Sequence, residues 1–259
     1  MKIAIIGAGS VGTNIHHAFE LKGIKAELIH ARPLTAKPGE PTEDPRVDDE
    51  ILNSFDVYIY TVIDQALESV VATVHAPKAL HLHTSGSMPI EVFGVDKPHA
   101  GIMYFFQSFS REKLIEEWST IPCFIEGKNI DDIAAIYSLA QMLTSRIYEA
   151  NQHDRERLHI AGVFANNYTN LMYRMAADIL RETQIPFEAL LPLIDNTAAK
   201  VHTIAPLDAQ TGPAKRGDEA VMAHHREILD AKLKAASAKD SFSGSELKEV
   251  YQLLSSLIP

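Results

Sequence analysis

Apolar and polar positions follow two regimes along this chain. Up to about residue 150, short apolar runs alternate with longer stretches of helical spacing; beyond it only the helical spacing remains. The run at 3–6 gives way at once to a helical pattern over 10–22, which Gly23 ends. Further apolar runs predict strands at 26–31, 56–62, 79–84, 101–106, 121–126 and 146–149, with helices over about 63–74 and 131–143. Strands alternating with helices imply right-handed crossovers and a mainly parallel sheet. Ligands then collect at the carboxyl ends of the strands, here residues 7–12, Val62-Ile63-Asp64 and His83-Thr84-Ser85-Gly86.

From about Gln152 the pattern is helical throughout. A long helix is expected over 154–182, with Leu158, Ala161, Ala165, Tyr168, Met172, Met175 and Ile179 three and four apart on a core-facing side. Pro186 is expected to open a second helical segment that Pro192 interrupts. Ser243 and Glu246 carry the signature of a capping box for a last helix to about residue 257. The expected fold is α/β, with a doubly wound, mainly parallel sheet in residues 1–150 and an all-helical domain in 151–259.

The first strand-to-helix junction reads Gly7-Ala8-Gly9-Ser10-Val11-Gly12, a dinucleotide-binding fingerprint of the Rossmann type. Gly7 allows the tight turn, Gly9 lets the backbone approach a pyrophosphate, and Gly12 lets the helix pack close to the strand. The second strand ends Leu28-Ile29-His30-Ala31-Arg32-Pro33, with no acid to bond a ribose 2′-hydroxyl. Arg32 stands there instead, twenty residues after Gly12, and its planar donor fork suits a 2′-phosphate, which favours NADP over NAD. His30 either assists Arg32 or packs as an ordinary strand residue. The cofactor-binding expectation is Gly7, Gly9, Ser10, Val11, Gly12, Arg32, Val62, Ile63 and Asp64.

Composition narrows the remaining possibilities. A formal net charge of −10 argues against nucleic acid or an anionic membrane as partner. The single cysteine, Cys123, lies in an apolar run and reads as a buried, inert thiol; it excludes an internal disulfide framework and fits a cytoplasmic protein. No signal peptide or membrane span is expected. Acid is concentrated at Glu40, Glu43, Asp44, Asp48, Asp49 and Glu50, among prolines at 33, 38, 41 and 45. This reads as a stiffened loop that either walls an adenine site or is simply solvated. No metal set is convincing, because His16-His17 and His224-His225 are adjacent on helices and point about 100° apart.

On the long helix, His159, Asn166, Asn170 and Tyr173 fall within roughly 40° of one line. The sixteen residues from Leu158 to Tyr173 hold no Lys, Arg, Asp or Glu, so this middle is expected to be enclosed on both sides, by a ligand cleft or by a subunit interface. A continuous helix over 154–182, about 44 Å long, is expected to support a homodimer.

Four stretches together resemble an uncharacterised Rossmann-like family whose C-terminal half is the domain of unknown function 2520 (DUF2520). They are the N-terminal fingerprint, His83-Thr84-Ser85-Gly86, Gln107-Ser108-Phe109-Ser110 and Thr211-Gly212-Pro213-Ala214-Lys215-Arg216-Gly217-Asp218. Val163-Phe164-Ala165-Asn166-Asn167-Tyr168 adds a fifth. The family is similar to the group of 6-phosphogluconate dehydrogenase, β-hydroxyacid dehydrogenases, pyrroline-5-carboxylate reductase and deazaflavin-dependent NADP reductase. The resemblance implies NADP binding and a dimerising helical domain, and it names no substrate. By the same resemblance Ser85-Gly86 is a substrate-contacting turn, and Lys215 and Arg216 meet an anionic substrate or cofactor phosphate; the other reading pairs them with Glu219 and its neighbours.

Two departures from the relatives matter. Tyr104-Phe105-Phe106 stands where the family has His-Pro-Leu before Gln107. No lysine occurs between Lys128 and Lys200, so the lysine that β-hydroxyacid dehydrogenases use on the corresponding helix is missing. The functional expectation is an NADP-dependent reductase of a small carbonyl or imine compound. Ser85, His159, Asn166 and Asn170 are the candidates for substrate contact or proton delivery, and Ser85, Gly86, Lys215 and Arg216 for substrate binding. The alternative is a non-catalytic NADP-binding sensor dimer.

Overall fold

The structure is a computed structural model and describes residues 1–35, 48–181, 183–232 and 241–259. Contacts divide the chain into two compact units, Met1–Val163 and Phe164–Pro259. Among the described residues no helix is long and apolar enough to cross a membrane.

The first unit is a seven-stranded sheet flanked by helices. In chain order its elements are β1 (Ile3–Ile6), α1 (Ser10–Leu21), β2 (Ala26–Ile29), α2 (Arg32–Thr35), α3 (Asp49–Leu52), β3 (Val57–Tyr60), α4 (Asp64–Ala72) and β4 (Leu80–His83). They continue with β5 (Ala100–Phe105), β6 (Cys123–Gly127), α5 (Ile130–Gln141), β7 (Ile147–Glu149) and α6 (Gln152–Gly162). The strand order is β2-β1-β3-β4-β5-β6-β7. The first five strands are parallel; β6 runs antiparallel to β5, and β7 is parallel to β6.

Alternation along β1 shows why the sheet is covered on both faces. Ile3 and Ile5 enter one core with Ile15 and Phe19 of α1 and Ile136 and Leu139 of α5. Ala4 and Ile6 enter the other with Leu67, Val70 and Val71 of α4 and Leu52 of α3. Each fully buried Ile or Leu contributes about 1.5–3 kcal/mol, so no strand of this kind can turn over without losing one core or the other. The second face also holds polar rings. The His81 ring stacks on Tyr58 at 5.0 Å, and its Nδ1 lies 3.0 Å from the Tyr60 hydroxyl.

Between Arg32 and Asp49 the expected stiff loop is helical at both described ends, in α2 and in α3, which Asp48 caps by accepting from the Glu50 amide at 2.8 Å. Glu40, Glu43 and Asp44, and with them the proposed adenine wall, lie outside the described residues.

The second unit contains α7 (Thr169–Leu180), α8 (Leu191–Lys200), α9 (Pro206–Ala209), α10 (Glu219–Lys232) and α11 (Gly244–Leu257). Met175, Leu229 and Leu247 form its buried core, with Leu171, Met172, Phe242, Val250 and Tyr251 packed around them. The capping box is present: the Ser243 hydroxyl accepts from the Glu246 amide at 3.2 Å, and the Glu246 carboxylate accepts from the Ser243 amide at 2.7 Å.

Several expectations for the helical part are corrected. The single long helix is α6, a π-helical stretch Val163–Tyr168 and then α7. One extra residue in a π turn breaks the regular spacing of about 100° on which a common face was expected. In the uncharged middle Ile160, Phe164 and Tyr168 are exposed along with Asn166 and Asn170. Of the supposed core stripe, Met175 is buried, whereas Ala161, Ala165, Tyr168 and Ile179 are exposed, because the unit's small core draws mainly on α7, α10 and α11. Pro192 does not interrupt a helix either; it sits in the first turn of α8, where its missing N–H costs nothing.

Candidate functional site

The sheet order changes direction at β1: the chain goes from β1 outward to β2, then returns to β3 on the other side. That switch leaves a crevice at the carboxyl ends of the strands. A cleft of about 390 Å³ opens there, bounded by Gly7, Ala8 and Gly9, by His30, Ala31 and Arg32, and by Thr61, Val62 and Ile63. Ala66 and Val70 of α4 give it an apolar floor, and Arg111 closes one side.

The glycine loop is stitched down from behind. The Gly7 amide donates to the Ile29 carbonyl at 2.8 Å, and the Thr61 hydroxyl donates to the Gly7 carbonyl at 2.7 Å. Gly7 has φ +118°, and a Cβ there would meet Thr61 at 2.9 Å. A Cβ on Gly12 would lie 1.9 Å from the Gly7 carbonyl oxygen. Gly9 differs: its backbone is extended, at φ −77° and ψ −173°, and a Cβ would meet nothing nearer than the Thr61 carbonyl at 3.9 Å. Packing within the chain therefore explains Gly7 and Gly12 but leaves Gly9 without an internal reason.

Gly9 is the N-cap of α1, and the first helical bond runs from the Thr13 amide to its carbonyl at 3.0 Å. The amides of Ser10, Val11 and Gly12 lie outside the helix's own ladder and carry the positive end of its dipole. Of the residues expected to hold a cofactor, Gly7, Gly9, Arg32, Val62 and Ile63 line the cleft. Ser10, Val11 and Gly12 stand behind it on the first turn of α1, and Asp64 heads α4. Arg32 is exposed, and no carboxylate pairs with it among the described residues.

Arg111 is a cleft residue that the sequence pattern missed. Its guanidinium donates to the Ala8 carbonyl in the glycine loop. Asn14, buried on α1, holds that segment in place: its amide nitrogen donates to the Ser10 and Ser110 carbonyls at 2.8 and 2.7 Å, and its oxygen accepts from the Ile115 amide at 3.0 Å.

A second cluster forms at the carboxyl ends of β4 and β5. The Ser85 hydroxyl oxygen accepts from the Ser87 and Met88 amides at 3.1 and 3.0 Å, which shapes the turn that Gly86 lines. A Cβ on Gly86 would lie 2.8 Å from the Tyr104 ring, and one on Gly162 of α6 would lie 2.7 Å from Phe106. Tyr104 and Phe106 meet edge to face at 6.0 Å, and the Tyr104 hydroxyl lies 3.2 Å from Nδ1 of His159. Burial pushes the Tyr104 hydroxyl above the usual tyrosine range. His159 is exposed.

The start of α6 is fixed by Arg155, which is fully buried. Its guanidinium pairs with Glu126 of β6 and donates to the Ala150 carbonyl at 3.0 Å and the Met88 carbonyl at 3.2 Å. One side chain thus ties the Ser85–Met88 turn, β6 and α6 together. His83, behind that turn, is buried, and its Nδ1 accepts from the Ser85 amide at 3.2 Å. Burial first, and the Arg155 charge second, lower its pKa to about 4. Cys123 is buried in the sheet, and burial raises its thiol pKa far above the usual range, so it is no nucleophile.

Ser85, Gly86 and His159 are therefore brought together, with Tyr104 added. Asn166, Asn170, Lys215 and Arg216 belong to the second unit, where all four are exposed. Lys215 and Arg216 lie on a loop turned by Gly212 and Gly217, and the Asp218 side chain accepts from the Val221 amide at 3.2 Å to cap α10. Glu219, the partner considered for them, is paired with Arg226 instead.

Comparison with known proteins gives the same outline. Residues 121–258 match a family described as a domain of unknown function, DUF2520. A Bacteroides fragilis protein, provisionally described as an NADP oxidoreductase, is 33% identical; the match covers 99% of this chain and 97% of that one, with a TM-score of 0.80. A Thermotoga maritima protein is 18% identical over 99% and 98% of the two chains, with a TM-score of 0.65. An imine reductase from Myxococcus stipitatus, solved with NADP+, is 13% identical over 100% and 93%, with a TM-score of 0.62, a likeness of fold. None of the curated proteins matches the chain.

Proposed function

We infer that this chain, which belongs to the DUF2520 family, is an NADP-dependent oxidoreductase that reduces a small carbonyl or imine compound. The observation that carries the reading is Gly9, a residue with an ordinary backbone and open space around it, beside a helix N-terminus. A side chain there would obstruct only something outside the protein, and the amides of Ser10, Val11 and Gly12 suit a diphosphate. Arg32, exposed on the cleft wall, suits a 2′-phosphate, and Arg111 adds a second cation at the glycine loop. The description of the Bacteroides relative supports the same cofactor.

When bound, reduced nicotinamide supplies a hydride. The protein's part is to orient the substrate and manage its proton. Ser85 follows the end of β4, on the side of the glycine loop away from Arg32, and His159 of α6 is held near the end of β5 by Tyr104; both are proposed to face the substrate. The absence of lysine between Lys128 and Lys200 favours an imine over an alcohol and ketone pair, since a protonated imine needs less acid assistance. The working form is proposed to be a cytoplasmic homodimer built through the helical unit.

Fluorescence titration with NADPH and NADH tests the cofactor assignment. NADPH is expected to bind at least about tenfold more tightly, and Arg32→Ala to remove most of that difference. Equal binding of the two by the unaltered protein would sink it.

A further inference from the structure

The junction of β5 with α6 is built around a hydroxyl and an imidazole, and the fold gives up two side chains to admit the rings beside them. Gly86 clears the Tyr104 ring and Gly162 clears Phe106. A purely structural tyrosine–histidine bond would satisfy buried polar atoms. Here Tyr104 is half-buried while its partner His159 is open to water, so the pair joins a partly sheltered hydroxyl to solvent. Strands lie about 4.8 Å apart, so β4 and β5 stand roughly 10 and 14 Å from β1. They lie on the opposite side of the glycine loop from Arg32, where the reacting half of a dinucleotide has to extend.

Resting on the oxidoreductase reading above, we propose that Tyr104 is the proton donor to the substrate and that His159 refills it. The Tyr104 hydroxyl gives its proton to the substrate nitrogen or oxygen as the neighbouring carbon accepts the hydride of reduced nicotinamide. The C=N or C=O double bond becomes single, with one new C–H and one new N–H or O–H bond. Nδ1–H of protonated His159 returns a proton to Tyr104 Oη across the 3.2 Å contact, and the exposed ring reloads from water. A tyrosine hydroxyl is protonated at neutral pH, and burial acts in the same direction on Tyr104, so the donor is loaded before substrate arrives. The relay also accounts for a family position occupied here by tyrosine, and for the missing lysine.

The test uses the full chain, Tyr104→Phe, His159→Ala and the double variant. Each is titrated with NADPH by fluorescence and assayed with NADPH against five- and six-membered cyclic imines and small α-keto acids. Nitrogen-15 NMR of the histidine rings in the unliganded protein gives a readout independent of turnover. Tyr104→Phe keeps the ring and is expected to bind NADPH within about twofold of the parent while losing about 100-fold or more in turnover. His159→Ala is expected to lose turnover and regain part of it with added imidazole, a rescue absent from the double variant. The His159 Nδ1 resonance is expected to shift in Tyr104→Phe while the rings of distant histidines stay put. Full turnover by Tyr104→Phe, an unmoved His159 resonance, or imidazole rescue of the double variant overturns the relay alone. A parent protein that fails to bind NADPH, or binds it and reduces none of the panel, overturns the relay and the oxidoreductase reading together.

Discussion

Gly9 and Gly12 stand three residues apart and lack side chains for different reasons. At Gly12 a Cβ would collide with the Gly7 carbonyl, whereas at Gly9 it would touch nothing closely. Gly12→Ala is therefore expected to cost about 2–3 kcal/mol or more. Gly9→Ala should cost at most about 1 kcal/mol, through a poorer N-cap, yet weaken NADPH binding at least about tenfold. Urea unfolding followed by Trp118, the only tryptophan, together with NADPH titration, separates the two. If Gly9→Ala binds like the parent, the glycine is not there for a ligand.

His81 and His83 give the sheet a pH signature. Burial is the main cause at both rings, and it lowers their pKa values from 6.5 to about 4. The unfolded chain takes up these protons below about pH 6.5, and the folded chain only near pH 4. Stability is thus full above pH 6.5 and falls as the pH drops toward 4, by roughly 3 kcal/mol per ring. Urea midpoints at pH 7.5 and pH 5 check this, the lower value being expected at pH 5; an unchanged midpoint would show the rings are not held neutral.

At the scale of elements, α5 illustrates a local signal with a tertiary consequence. The Asn129 side chain accepts from the Asp132 amide at 2.9 Å and donates to the Asp132 carboxylate at 2.9 Å. That buried carboxylate also accepts from the Ala100 amide at 3.3 Å, so the cap fastens α5 to β5. Asn129→Ala is expected to lower stability by about 1–2 kcal/mol, read by Trp118 fluorescence in urea, without altering NADPH affinity. The strands, α1, this helix and the capping box at Ser243 were legible because each is written in adjacent residues. Tyr104 with His159 and Arg155 with Glu126 were not, since they join positions 55 and 29 residues apart. The π turn at Val163–Tyr168 escaped for another reason: the apolar residues of this sequence keep ordinary helical spacing straight through it. Only the bonding of the backbone shows that the face changes there.

For the whole molecule, the question is what the helical unit does with its surface. Its buried core is small, while Phe164, Ile185, Leu193, Val201, Leu207 and Leu257 are each more than half exposed. We propose that these side chains contribute to a subunit interface. A homodimer is expected, with a mass by light scattering of about twice 28.6 kDa at micromolar concentration, and Leu193→Glu with Leu207→Glu should shift it toward monomer. A parent that sediments as a monomer would refute this.

Arg155 also sets where the polypeptide can be cut. The Glu126 carboxylate and the Met88 carbonyl are both satisfied by a guanidinium arriving late in translation, after the last strand has been made. A fragment stopped at residue 150 would carry all seven strands of the sheet yet lack the guanidinium that ties Glu126 to the Met88 turn, and it is expected to be less stable for that loss. One released after Val163 would keep that tie.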